Sequence, residues 1–158
     1  MGKYQDSKKV VRNYFEALEN ATGDEVENVL KQHMKSDYNW KGVYPFREQE
    51  GTENVADVFW KPLKKSLSNM QRRQDIFIAG TNEIDNSEWV MSMGHFMGLF
   101  DKDWLGIKHT RKMISLRYAE FNCVQDGKIA KTGLFVGIDL NPAQINITRC
   151  QQIQQFSG

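Results

Sequence analysis

Residues 113–140 read MISLRYAEFNCVQDGKIAKTGLFVGIDL, and this stretch decides the fold. Two runs of strand-forming residues, 113–124 and 128–140, flank Gln125-Asp126-Gly127-Lys128. Asp-Gly between such runs signals a type I′ hairpin, whose two central residues both need positive φ. A two-residue turn pairs Gln125 with Lys128 and Glu120 with Gly133. On that register one face carries Leu116, Tyr118, Glu120, Asn122, Phe135 and Asp139. The other carries Ser115, Arg117, Phe121, Thr132, Leu134 and Val136.

Upstream, residues 88–100 alternate in the same way. Trp89, Met91, Met93, His95, Met97 and Leu99 fall on one face, with Val90, Ser92, Gly94, Phe96, Gly98 and Phe100 on the other. Ile76–Gly80 is a further short apolar run. Glycines 94, 98, 133 and 137 are candidate points of bending in a curved sheet. The first half is helical in pattern. Val10, Val11, Tyr14, Phe15 and Leu18 form an amphipathic stripe over 7–20, with Asp6 or Ser7 as its cap. Val26, Val29, Leu30 and Met34 mark a second, short helix with Asp24 and Glu25 in its first turn. A strand is expected near Tyr38–Trp40, then a loop. A third helix, capped by Thr52, carries Val55, Val58, Phe59, Leu63 and Leu67 on its buried side, with a kink or break at Pro62. Lys61, Lys64, Lys65, Arg72 and Arg73 are read as its solvated side. Helices first and a long antiparallel sheet after them is an α+β layout.

Composition narrows the function classes. The 158 residues carry a formal charge of +1, 40 % hydrophobic and 26 % charged residues. That balance excludes a strongly basic nucleic-acid binder and a disordered chain. No apolar run approaches the roughly 20 residues of a membrane span, and MGKYQDSKKV lacks the apolar segment of a secretory signal. Two cysteines, Cys123 and Cys150, make no disulfide framework or metal cluster, and His33, His95 and His109 show no metal spacing. One cytoplasmic domain over residues 1–158 is expected, with the chain free to continue past Gly158.

The order helix–helix–strand–helix–sheet carries a set of segments: Gly94-His95-Phe96-Met97-Gly98-Leu99-Phe100, Leu116-Arg117-Tyr118-Ala119-Glu120-Phe121, Asp126-Gly127-Lys128-Ile129 and the ending Gln154-Gln155-Phe156-Ser157-Gly158. This ordered set resembles the SnoaL-like polyketide cyclase branch of the nuclear transport factor 2-like superfamily. The resemblance implies a cone-shaped, cystatin-like fold, with a curved antiparallel sheet wrapped around N-terminal helices. It further implies an apolar pocket, cofactor-free acid/base chemistry and a homodimer formed through the open sheet face. The histidine–tryptophan–aspartate stretch of those cyclases falls, by ungapped counting, on Thr132, Gly133 and Leu134.

Ionisable groups set among apolar strand residues are the candidates for that chemistry. Asp139 follows the apolar run Leu134–Ile138, where a carboxylate can serve as general acid or base, or simply end the strand before Pro142. His95, among methionines, is a proton shuttle or a core or dimer-face histidine. Glu120 and Arg117 lie on opposite faces of one strand, so one faces inward and needs a partner there. Tyr38, Trp40, Trp104 and Tyr118 are pocket or core aromatics. The reading that follows is an enzyme needing no cofactor or metal, acting on a small apolar carbonyl compound by cyclisation, isomerisation or dehydration. Asp139 and His95 are its catalytic pair; Tyr38, Trp40, Trp104, Arg117, Tyr118 and Glu120 line its pocket. The alternative is a non-catalytic ligand-binding or dimerisation module of the same fold. Neither involves nucleic acid or a membrane.

Overall fold

The computed structural model describes residues 2–138. Three helical segments precede and flank one six-stranded sheet. Helix α1 is Gln5–Asn20 and buries Val11, Tyr14, Phe15 and Leu18, the stripe expected from spacing. Ser7 is not its cap; the hydroxyl donates to Glu88 at 2.5 Å and so ties the helix to the sheet. Helix α2 is Val26–His33, and Glu25 accepts the backbone N–H of Thr22 ahead of it. The third segment starts at Thr52 and is irregular. One turn of α-helix (α3, Thr52–Val55) runs into a π-helical stretch, Ala56–Trp60, and then α4, Lys61–Ser66. The wider turn sits just ahead of Pro62, where a ring that cannot donate would disturb an α-helical ladder. No helix among the described residues is long and apolar enough to cross a membrane.

The strands are β1 Met34–Gly42, β2 Glu48–Glu50, β3 Leu67–Thr81, β4 Glu88–Phe100, β5 Met113–Gln125 and β6 Lys128–Ile138. They lie in the order β2-β1-β6-β5-β4-β3. The fold is α+β, and the curved open sheet is wrapped on the helices. Three expectations change. The sheet is mixed, because β1 runs parallel to β6. Strand β3 has 15 residues rather than a short run. Leu67, Arg72 and Arg73 therefore belong to β3, not to the third helix.

The hairpin turn is the expected one: Asp126 and Gly127 have φ of 52° and 72°, and Gln125 pairs with Lys128. Beyond it the register slips. Val124 pairs with Ile129 but Cys123 with Lys131, so Ala130 is an extra residue in β6. A slip of one residue exchanges the faces of a strand. Glu120 consequently pairs with Leu134, not Gly133. Thr132, Leu134 and Val136 share the inner face with Leu116, Tyr118, Glu120 and Asn122, while Phe135 turns outward.

The sheet bends over the helices where β3 crosses β4. A Cβ on Gly94 would stand 1.9 Å from the carbonyl oxygen of Arg73, so only glycine permits this approach. Inside the curve, touching rings run from Trp104 through Phe46, Phe59, Trp60 and Phe96 to Tyr118, with centroids 4.4–6.1 Å apart. Burying each such side chain stabilises the fold by about 1.5–3 kcal/mol.

Candidate active site

At the inner end of this series of rings the apolar core gives way to polar groups. Glu120 on β5 is fully buried, and Arg72 on β3 is 6 % exposed. Arg72 Nη1 donates to Glu120 Oε2 at 3.1 Å. The same oxygen accepts Asn122 Nδ2 at 3.2 Å. From Asn122 the bonds continue outward: Thr132 Oγ1 donates to Asn122 Oδ1 at 2.7 Å, and Tyr38 Oη donates to Thr132 at 2.7 Å. Ser92 and Tyr118 hydroxyls pair at 2.8 Å on the neighbouring strands. Alternation builds this cluster. Ser92, Tyr118, Glu120, Asn122 and Thr132 are inward positions of β4, β5 and β6, and Tyr38 is an inward position of β1.

Electrostatics fix the protonation of the phenols. Burial pushes Tyr14 far above its usual range, and the nearby Tyr38 and Glu120 add to this. Burial does the same to Tyr38. Both stay protonated, and Tyr38 is the donor to Thr132. For Arg72, burial opposes the charge, but Glu120 foremost, then Tyr118 and Tyr14, outweigh it and raise the guanidinium. That guanidinium lies 3.6 Å from the ring centre of Phe15, 4.8 Å from Tyr118 and 4.9 Å from Phe96.

The ion pair is incomplete. Arg72 Nη2 and Glu120 Oε1 are buried without a hydrogen-bond partner, and so is Trp60 Nε1. A buried ion pair adds little net stability even when every lone pair and N–H is satisfied. Here one donor and one acceptor of the pair are left open to a further polar group. A gap of about 10 Å³ beside Arg72 and Trp60 has room for about one water. Arg72 and Phe15 separate it from a surface groove of about 430 Å³ between α1 and β3, edged by Arg12, Glu16, Glu19 and Gln74.

The residues singled out in the sequence divide between two faces. Glu120, Tyr118 and Tyr38 enter the polar cluster. Trp40 and Trp104 are buried among aromatic rings near Phe46. Arg117 is exposed on the outer face. His95 is on that face too, between Arg73 and Arg117 in register and 3.4 Å from Asp75. Asp139 lies outside the described residues. Of the two residues Glu120 and Arg117, the glutamate is the inward one, and its partner is Arg72. Reading residues 61–73 as one helical surface hid that arginine. The signal available was Glu120 itself: a carboxylate at mid-strand on an apolar face requires a cation from a neighbouring strand. No three His, Cys, Asp or Glu side chains converge as metal ligands among the described residues.

The outer face reads in rows across the strands. Ile78, Met91 and Phe121 form one row; Ile76, Met93, Ala119 and Phe135 the next; Arg73, His95 and Arg117 a third. A groove of about 1020 Å³ runs over the first row, and Lys41, Glu48 and Lys131 stand along it.

No family model matches this sequence, and no curated protein sequence matches it significantly. Solved structures do match. A SnoaL-like structure from Jannaschia sp. CCS1, assigned as a polyketide cyclase, is 19 % identical, covers 85 % of this chain and 86 % of its own, and gives a TM-score of 0.65. IdmH from Streptomyces antibioticus, also assigned as a polyketide cyclase, is 13 % identical over 90 % of this chain and 99 % of its own, with a TM-score of 0.68. A structure from Bacillus subtilis assigned as an isomerase is 13 % identical over 91 % and 92 %, with a TM-score of 0.61. The chain shares the cone-shaped α+β fold of these structures.

Proposed function

We propose that this protein is a small-molecule enzyme that moves a proton on an enolisable carbonyl compound, with Glu120 as the base. One observation carries the reading: Glu120 is buried, its Oε2 is held by Arg72 and Asn122, and its Oε1 is bare. A fixed carboxylate with one free oxygen is placed to take a proton from carbon. Phe96, Tyr118 and Trp60 pack round the Arg72 guanidinium that holds the carboxylate. Entry is from the groove between α1 and β3, with Phe15 and Arg72 moving aside to enlarge the one-water gap behind them. The cyclase and isomerase assignments of structures sharing the fold agree with chemistry of this kind, although fold alone never names a reaction.

Exchange of the α-protons of 2-tetralone for deuterium, followed by NMR, tests the proposal without the natural substrate. The wild type is expected to accelerate exchange over buffer. Glu120→Gln lowers that acceleration by about 10²–10⁴-fold. Glu120→Asp keeps the charge but withdraws Oε1 by one carbon, and loses at least about tenfold. Circular dichroism verifies that both variants fold. A wild type with no effect, or a Glu120→Gln protein as fast as wild type, removes Glu120 from this role.

The outer face supports a proposal about assembly. Phe135 is 55 % exposed and Ile78 50 %, with Ile76 and Met93 exposed between them. A contiguous apolar surface of this kind marks an association site, and we assign it to a homodimer formed sheet to sheet.

A further inference from the structure

Two glycines of the outer face are not glycine for the sake of the backbone. Gly133 on β6 and Gly80 on β3 do not have positive φ, and neither stands at a bulge. A Cβ on Gly80 would meet nothing within 4 Å, and one on Gly133 nothing nearer than Phe135 at 3.9 Å. Glycine inside a strand costs stability, and where no turn, bulge or backbone contact demands it, it leaves room for a ligand. Both residues line the groove of about 1020 Å³ on this face. We infer that the groove binds an apolar molecule ending in one carboxylate, such as a medium-chain fatty acid. The site lies on the opposite side of the sheet from Glu120 and does not depend on it.

The register shows how the floor is made. One row crosses all six strands: Glu48, Lys41, Gly133, Phe121, Met91 and Ile78. In the next row Asn39, Lys131, Cys123, Trp89 and Gly80 are neighbours. Gly133 therefore leaves a gap between Lys41 and Phe121. Phe121, Met91, Ile78 and Trp89 continue that gap as an apolar trough, and Phe135 stands edge-on to Phe121 with ring centroids 6.1 Å apart. Apolar walls with a few polar groups at one end are what a small amphiphile needs.

Charge selects the head group. Lys41 and Lys131 stand at the β1–β6 end of the groove, and neither is ion-paired among the described residues. Glu48, across from Lys41, accepts Asn39 Nδ2 at 2.8 Å instead. Asp85 feels the charge of Lys131, but its carboxyl is bonded to the hydroxyl and backbone N–H of Ser87. Two free ammonium groups against one engaged carboxylate attract an anion and repel a cation. The surface assigned to the dimer meets this groove at Ile78 and Phe135, while Ile76 and Met93 lie outside it. All the groups named for the ligand come from one chain.

Calorimetric titration with decanoate below its micellar concentration tests the site, with decyltrimethylammonium as the same chain carrying the opposite charge. Decanoate should bind saturably, one per chain, and at least about tenfold tighter than the cation. Gly133→Val fills the gap with a residue suited to a strand, and should weaken decanoate about tenfold or more without lowering the melting temperature. Lys41→Met/Lys131→Met should weaken it about five- to tenfold and remove the preference for the anion. Ile76→Gln/Met93→Gln, outside the groove, should bind decanoate as the wild type does whatever its oligomeric state. No saturable binding, a cation bound as tightly, or a Gly133→Val protein that binds as well as wild type overturns the proposal. Loss of binding in Ile76→Gln/Met93→Gln overturns the placement of the site on one chain.

Discussion

His33 closes α2 with its ring 5.9 Å from that of Tyr14, while Lys128 binds the adjacent carbonyl of Gln32 at 2.6 Å. Partial burial, and then the charge of Lys128, pull the imidazole below its usual pKa. A histidine lowered in this way takes up its proton more readily in the unfolded chain. It therefore stabilises the fold above its unfolded value of about 6.5 and withdraws that stability as pH falls through the lower folded value. Glu25, Glu27, Asp85 and Asp103 are also lowered, from the ordinary 4.5 of glutamate and 3.8 of aspartate, so their windows lie further down. Thermal melts between about pH 7 and pH 5 should show the wild type losing stability on acidification. The His33→Gln protein should show a flatter profile; an identical slope would mean His33 does not set it. Residues of this kind differ in how well a sequence reveals them. Glu120 stood out, as a charge in the middle of an apolar strand. Arg72 did not, because a basic run ahead of it imitates a solvated helix surface.

At the level of strands, glycine meant two things that the sequence could not separate. Gly94 sits against the backbone of Arg73, while Gly133 has nothing nearer than Phe135 at 3.9 Å. Gly94→Ala should destabilise the protein by about 1–3 kcal/mol or more, because β3 must move away and take Arg72 from Glu120. Gly133→Ala should stay within about 0.5 kcal/mol of wild type. Urea denaturation compares the two, and equal losses would contradict the placement of the bend. The hairpin was legible, since Asp126-Gly127 admits few turns. The bulge was not. Ala130 is small and apolar and suits either face, yet it sends Thr132 and Leu134 inward and Phe135 out. The unslipped register therefore puts Thr132, Leu134 and Phe135 on the wrong faces relative to β5.

For the molecule as a whole, the α+β layout was visible in periodicity, but the parallel seam of β1 with β6 was not, because no local pattern records a pairing across so much chain. The apolar outer face gives the prediction at this scale. Light scattering after size exclusion should find the wild type as a dimer at tens of micromolar, and Phe135→Glu with Ile78→Glu as a folded monomer, since two charges would face their own copies across the two-fold axis. A monomeric wild type would rule the assignment out. The seam itself governs the order in which the protein can be made. Tyr38 and Thr132 are hydrogen-bonded at a sequence separation of 94, so β1 leaves the ribosome long before this partner exists. The β3–β4–β5 meander, closed by near neighbours, can assemble while translation continues. Strand β1 can pair with β2 early but must wait for β6 to join the rest of the sheet, so a chain released early keeps α1, α2 and the β1–β2 pair with no sheet edge to join.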